Sequence, residues 1–546
     1  MRRREFLKNS AMAGAAALAL PSKKSGAQSH DAQIEIVADE ELGSISRDIY
    51  GQFTEHIGGV IYDGVWVGED SKIPNTHGIR TNLLDHLKKI HVPVIRWPGG
   101  CFADSYDWRD GIGPTSTRPR RTNFWETSPD AARLHETGLQ ILETNRFGTN
   151  EFVRFCNLSG AEPYIAANVR SLTALQFDQW VEYCNSPAGS TSLADTRGAA
   201  GFPEPFNVRF WGVGNESWGC GGNFTPEDYA AEFRRFTSWV PSYGLDLKMI
   251  ASGPNGDNID WTHRFFEKLY TGPAYNNPSF LGWSVHFYAA IQRQGKTGDA
   301  LDFDSDDWYE VLRQSDRMEQ IIRDHWYAMG QYDRDHRIKL VVDEYGPWYR
   351  EGTELDPTHI FGQQITIRDA LATALTLDTF NRNPDKVAMA NNAQLINNIN
   401  ALFLAHEDQF MVTPNFHVFD MYSAHQDSQA LRTEFYAPSI HYTRDGRPQK
   451  LWGMNGSASR KKNIVTLTVV NPDATNPRLT QIAVRGARVS SASAITLTAS
   501  DMHAHNTFEH PDTVKPVKLD TSVSSDHVTA RLAPASVSKV EIVLGA

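Results

Sequence analysis

Cysteine is scarce in these 546 residues, with four in all at positions 101, 156, 184 and 220. No two are spaced as CxxC and none sits in a tight cluster with histidine. That excludes a zinc finger or ribbon and, at this density, a fold stapled by disulfides. Cys156, within the helix-patterned EFVRFCNL, reads as core. Cys101 and Cys220 each follow a glycine-rich turn after an expected strand; they could be bonded, but free buried thiols are the safer expectation. A long apolar run is missing as well. The longest candidate, AMAGAAALALP, falls short of the ~20 residues a membrane-spanning helix needs, so no membrane partner is expected. Excess positive charge is also absent, since 53 Lys and Arg stand against 65 Asp and Glu for a net −12. Such a surface suits neutral substrates better than nucleic acid or anionic lipid. Repeat arrays and low-complexity linkers are lacking too.

What is present is an ordinary globular composition, 40% hydrophobic and 22% charged. At roughly 100–200 residues per domain, the length implies two to four units. The first residues differ from the rest. MRRREFLKNS, then AMAGAAALALP, then KKSGAQSH, resemble a twin-arginine export signal over residues 1–27, with Ser25-Gly26-Ala27 as the cleavage region. The expectation is an exported protein, periplasmic or extracellular. Residues 1–27 carry six basic side chains and one acidic one, so their loss would take the net charge from −12 to −17.

From about residue 48 to 400, short apolar runs alternate with helical patterns. Eight strand candidates stand out: IYGQFTE (49–55), VPVIRWP (92–98), PYIAANV (163–169), VRFWGVGNE (208–216), LKMIAS (247–252), LGWSVHFY (281–288), IKLVVDEYG (338–346) and VAMANNAQL (387–395). Between them, TNLLDHLKKI and TPEDYAAEFRRFTSWV carry apolar residues at helical spacing. WYEVLRQSDRMEQIIRDHWYAMG and TIRDALATALTLDTF are longer examples. Eight such units predict an α/β fold with a closed (β/α)8 TIM barrel over residues 48–400. After residue 400 the pattern changes to NIVTLTVVN, TQIAVRG, AITLTA and SKVEIVL, β-rich segments separated by turn formers. Residues 401–546 are therefore expected to form a C-terminal antiparallel β-sandwich, with QIEIVA in segment 28–47 lending it a strand.

In a parallel barrel, functional groups project from the C-terminal strand ends. Glu216 closes the fourth strand candidate and Glu344 the seventh. Each has a polar neighbour, Asn215 and Asp343. A carboxylate pair of this kind suits glycoside cleavage: one acid, kept protonated by a less polar setting or its neighbour's charge, serves the leaving oxygen while the other attacks the anomeric carbon. A lone glutamate at a strand end more often pairs with an arginine or caps a helix; two at equivalent positions weigh against that. Trp97, Trp108, Trp218, Tyr288, Tyr345, Trp348 and Tyr349 crowd the same ends and are expected to line a sugar-binding cleft.

These residues carry a family resemblance. GNE (214–216) and DEYG (343–346), with WPGGCFADSYDWRDGIGP, AEPYIAANV, SVHFYA, NNAQLIN and HVFDMYSAHQ in that order, resemble the retaining α-L-arabinofuranosidases of glycoside hydrolase family 51, clan A. The resemblance implies Glu216 as acid/base and Glu344 as nucleophile. It places Asn215 on the sugar 2-hydroxyl, Glu55 and Gln394 on the arabinofuranosyl ring, His286 and Tyr288 beside the two acids, and Trp348 at the subsite edge. Cys101 stands where many members have a sugar-binding asparagine, and a thiol is a weak substitute. The implied partners are arabinose-containing polysaccharides or oligosaccharides, with a homo-oligomer, no cofactor and no metal. Two readings compete: a clan-related β-xylosidase or β-glucanase with the same mechanism, and a carbohydrate-binding protein without turnover.

Overall fold

The computed structural model describes residues 30–545 apart from 137, 272–278, 294 and 525. The leader expected over residues 1–27 lies outside them. No helix among the described residues is long and apolar enough to cross a membrane.

Each of the eight expected runs forms a barrel strand: Gly51–Phe53, Val94–Trp97, Glu162–Ala167, Phe210–Val213, Lys248–Ala251, Gly282–Ala290, Lys339–Trp348 and Val387–Asn392. They pair in parallel with their sequence neighbours, and the last pairs with the first, so the sheet closes. The strands read as unbroken apolar runs because one face meets helices and the other fills the barrel. Val94, Tyr164, Phe210, Ile250, Val341 and Met389 form that filling, a packed interior layer contributed by six strands.

The helices follow local chemistry. Thr225 caps the Pro226–Thr237 helix by accepting from the Asp228 amide, proline takes the first turn, and Tyr229, Phe233 and Phe236 are its buried stripe. The run from Trp308 to Gly330, continuous in its pattern, is two helices, Ser305–Asp316 and Met318–Gly330, divided at Arg317.

The second unit differs in one respect from the expected antiparallel sandwich. Ten strands form one continuous sheet, and the N-terminal strand Ala32–Ser44 sits inside it. That strand runs antiparallel to Gln429–Tyr436 but parallel to Arg478–Arg485. Parallel pairing is available to it because it arrives from the far end of the chain rather than through a hairpin. Ile34, Ile36, Val465, Leu467, Ile482, Val528 and Val540, drawn from five strands of the sheet, share one apolar core. Five further strands of this sheet lie outside the runs expected from sequence, among them Asn455–Lys461 and His527–Leu532.

One helix joins the two units. Ile367–Arg382 was expected to be amphipathic, yet all of Ile367 to Asn381 is buried. Its polar residues are satisfied across the junction: Asp378 accepts from Ser457 Oγ at 2.6 Å, Thr468 Oγ1 at 2.6 Å and Tyr422 OH at 2.9 Å. Asn381 bonds both Tyr50 and Ser457. Burial nonetheless pushes Asp378 up to about 6. Replacing Asp378 by alanine removes the acceptor shared by three buried hydroxyls; Ser457 Oγ and Thr468 Oγ1, 3.1 Å apart, keep each other as partners, so the loss falls mainly on the Tyr422 hydroxyl, about 1–3 kcal/mol. Asp378→Ala should therefore lower unfolding free energy by about 1–3 kcal/mol in a denaturant titration, and Asp378→Asn, which keeps an acceptor, by clearly less.

Candidate active site

Glu216 and Glu344 meet at the C-terminal mouth of the barrel. Strand four ends at Val213, so Glu216 stands on the loop beyond it, with φ at +38°, the left-handed region rarely used by residues with a Cβ. Glu344 lies within strand seven rather than at its end. Register shifts flank it against both neighbouring strands. The alternation is thereby broken, and consecutive residues Asp343 and Glu344 both reach one polar network, as bulged strands permit.

Around Glu344 the contacts are dense. Arg96 Nη1 donates to its Oε1 at 2.8 Å and Tyr288 OH to its Oε2 at 2.7 Å. His286 Nδ1 lies 3.2 Å from Glu216 Oε1 and 3.5 Å from Glu344 Oε2. One oxygen of each glutamate and a ring nitrogen of His286 all fall within 4.8 Å of one another. Burial opposes ionisation of Glu344, but His286, Arg96 and the hydrogen bonds from Arg96 and Tyr288 outweigh it and hold the carboxyl below its usual range. Burial likewise works against a charged His286, and the two glutamates more than compensate, raising its pKa. Gly100 keeps the space clear, since a Cβ there would stand 2.8 Å from Glu344 Oε1.

Asn215 is fixed from two sides. Its Oδ1 accepts from Arg96 Nη2 at 2.6 Å, and its amide donates to Asp104 Oδ2 at 3.0 Å. Glu55 is buried, its Oε1 accepting from the Phe102 amide at 2.9 Å and its Oε2 from Gln394 Nε2 at 3.1 Å. Burial and the nearby charge of Glu344 push Glu55 up to about 8. Gln394 Oε1 is buried without a hydrogen-bond partner.

Two expectations need correction. Cys101 and Cys220 are not free thiols but a disulfide, 119 residues apart in sequence. The loops after strands two and four fold inward over the mouth, a proximity no spacing rule conveys. Cys220 Sγ lies 3.5 Å and Cys101 Sγ 3.8 Å from Glu216 Oε2. A disulfide has no proton to donate, so Cys101 offers a sugar no thiol hydrogen bond. Cys156 and Cys184 are free and buried. The aromatic cleft is also smaller than expected. Trp97, Trp108, Tyr345 and Tyr349 are at most 3% exposed. Trp97 stacks on Phe152, Trp108 stacks on Trp180, and Tyr349 donates to Asp369, all core roles. Trp218, Tyr288 and Trp348 stay partly exposed. Trp348 packs edge-on against Tyr288 and Phe361, and Phe361 against Trp125, extending the wall with two residues that sequence reading missed.

Arg96 was missed as well, although a lone arginine inside VPVIRWP is a signal, because a buried charge must be paired. Asp343, Tyr164 and Asn391 form the layer beneath it, with Tyr164 OH and Asn391 Nδ2 both donating to Asp343. A cavity of about 1530 Å³ lies elsewhere, lined by Tyr62, Asp63, Trp66, Arg118, Arg146 and Arg154 among others. It holds neither glutamate, so the carboxylate pair and not the volume locates the chemistry.

A closed parallel barrel with two glutamates converging at its mouth, between an aromatic wall and a buried arginine, defines a glycoside hydrolase. The comparisons agree. Residues 86–293 match the model of the α-L-arabinofuranosidase 1 domain and residues 343–536 that of the α-L-arabinofuranosidase C-terminal domain. The intracellular exo-α-L-arabinofuranosidase of Bacteroides ovatus is 35% identical over 97% of this chain and 98% of its own. The intracellular exo-α-(1→5)-L-arabinofuranosidase of Acetivibrio thermocellus is 30% identical over 68% of this chain and 70% of its own. The crystal structure of the GH51 arabinofuranosidase from Xanthomonas axonopodis pv. citri superposes with a TM-score of 0.86 at 35% identity, over 94% of this chain and all of that one. The chain belongs to the glycoside hydrolase family 51 α-L-arabinofuranosidases.

The same relatives overturn the expectation of export, since those of B. ovatus and A. thermocellus are both named intracellular. A short Ala/Leu run between basic residues is a compositional signal only, and it does not outweigh a match along nearly the whole chain.

Arg96→Lys keeps the charge but loses the fork that reaches Glu344 and Asn215 together. It should cut kcat by about 10–100-fold, as misplacement of a reacting group does. The acid limb of kcat/KM should move to higher pH, because Glu344 loses part of what holds its pKa down.

Proposed function

We propose that the protein is an exo-acting, retaining α-L-arabinofuranosidase that removes terminal arabinofuranosyl residues from arabinoxylan, arabinan or derived oligosaccharides. The observation that carries this reading is the separation of the glutamates, with oxygens within 4.8 Å. Retaining glycosidases keep their carboxyl groups about 5–5.5 Å apart, whereas inverting ones need about 6.5–9.5 Å to admit a water. Glu344, held ionised by Arg96, Tyr288 and His286, attacks the anomeric carbon. Glu216 protonates the leaving oxygen and then activates the water that cleaves the arabinosyl-enzyme. Asn215 is aimed by Arg96 at the 2-hydroxyl. Glu55 and Gln394 receive ring hydroxyls, the unpartnered Gln394 Oε1 being the acceptor a hydroxyl would satisfy. Trp348 borders the subsite. This chemistry requires no cofactor. Residues 48–400 act as the catalytic unit, and 28–47 with 401–546 as the sheet unit packed on it. Assembly into a homo-oligomer, which the family resemblance implies, belongs to the same reading.

Both acids are retained, which weighs against a binding protein without turnover. Family membership favours arabinofuranosides over the xylosides and glucans of clan relatives. The test uses a nitrophenyl α-L-arabinofuranoside. Glu344→Ala should lose at least about 10³-fold in kcat, the scale of losing a nucleophile. Glu216→Ala should stall at the covalent stage and be rescued by azide, giving an arabinosyl azide of retained configuration. An inverted product from wild type, or faster release from the matching β-xylopyranoside, would overturn the reading.

A further inference from the structure

Away from the two glutamates, three side chains converge from three loops at the barrel mouth. Asp63 is on the loop after strand one and His359 on the loop after strand seven. His406 ends the first strand of the hairpin Phe403–His406/Gln409–Val412, in the segment after strand eight. Strands seven, eight and one are adjacent in the closed sheet. His359 Nε2 lies 3.4 Å and His406 Nδ1 3.2 Å from the same oxygen, Asp63 Oδ2. The three donor atoms are all within 4.8 Å of one another.

Two physical points favour a cation over a plain hydrogen-bonded cluster. Ordinary N–H···O bonds run about 2.7–3.2 Å; His406 stands at the upper edge of that range and His359, at 3.4 Å, beyond it. The two distances equal the edge of a tetrahedron whose corners stand about 2.0–2.1 Å from a zinc-like centre, roughly 3.3 Å. The second point is preorganisation. Asp63 Oδ1 accepts from the Glu407 amide at 2.9 Å, which turns Oδ2 toward the imidazoles. The buried Arg80, 3.6 Å from Asp63 Oδ1, binds the Asp63 carbonyl at 2.5 Å and the Glu407 carbonyl at 2.9 Å, locking the two loops without occupying Oδ2. His359 is 3% exposed and its Nδ1 has no partner, so its polar engagement is through the nitrogen that faces the cluster. Gly59 makes room for that ring, since a Cβ there would be 2.4 Å from His359 Nε2.

We propose that Asp63, His359 and His406 bind one divalent transition cation of the zinc, cobalt or nickel class, strapping the loops after strands one, seven and eight together. Two imidazoles and one carboxylate suit these metals better than calcium or magnesium, and three protein ligands leave one position for water. The strap bears on the substrate wall through sequence: His359 is two residues from Phe361, which packs on Trp348.

The test is a Co2+ titration of the EDTA-treated full-length protein, read by the visible absorption of four-coordinate cobalt, alongside a thermal-shift assay with Zn2+. Wild type should bind one Co2+ per chain and gain thermal stability with Zn2+. His406→Ala removes a partly exposed side chain, so its melting temperature in EDTA and its arabinofuranosidase activity should match wild type. Its Co2+ affinity should fall by more than about 100-fold, beyond the roughly 10–100-fold that loss of an outer-shell partner costs. Asp63→Asn should weaken binding in the same direction. Glu216, His286 and Glu344 form another cluster with ligand spacing, so His286→Asn is the control and should leave the cobalt spectrum intact. No cobalt spectrum in wild type, or one that survives His406→Ala and disappears in His286→Asn, would overturn the proposal. Neither result depends on which sugar is cleaved.

Discussion

The arrangement of the active site depends on one buried guanidinium. Arg96 rises from strand two, packs its charge 4.5 Å over the Phe53 ring, and spends its two ends on Glu344 and Asn215. Alone in that interior it would carry a desolvation penalty of several kcal/mol. Asp343 and Glu344 repay it and keep the guanidinium charged. The dependence runs both ways, because without Arg96 two neighbouring carboxylates would share a dry site. Glu344 would then lose part of the field that keeps it ionised. The polar network beneath the mouth therefore amounts to a charge balance, in which one arginine and one histidine face Asp343, Glu344 and Glu216.

That balance is held by backbone that departs from regular strand geometry. Glu216 sits in the left-handed region, and strand seven loses register at Asp343 and Glu344. Such departures persist only where surrounding structure fixes them. Here the disulfide braces the loop carrying Glu216, Asp104 binds the Asn215 amide, and the interior layer below holds the strands. The second unit contributes at a distance. Its hydroxyls satisfy the buried helix Ile367–Arg382, which supports the barrel wall near strands seven and eight.

Much of this was readable from residue order. Eight apolar runs separated by helix-patterned segments gave the barrel, and Glu216 and Glu344 were marked by closing two of those runs, although the fold sets the first beyond its strand and the second within it. Other features lay beyond any local pattern. Trp97 and Trp108 have the same residue type and the same kind of position as Trp348. Only their partners, Phe152 and Trp180 against Tyr288 and Phe361, separate core from wall. Of the unmarked sheet strands, Asn455–Lys461 buries consecutive residues on both faces and so shows no alternation, whereas His527–Leu532 does alternate, but over only six residues. The parallel pairing of Ala32–Ser44 with Arg478–Arg485 joins residues 448 positions apart in the chain.

The sequence by itself determined the barrel, the β-rich second unit, the two carboxylates and the family, because hydrophobic period and short motifs are local properties. Tertiary structure decided that Cys101 and Cys220 bond, that Arg96 charges the site, and that Asp63, His359 and His406 meet. The physical reason is the same in each case. These groups act through distances of a few ångströms between residues from 47 to 343 positions apart, and only closure of the barrel brings the loops that carry them to one mouth.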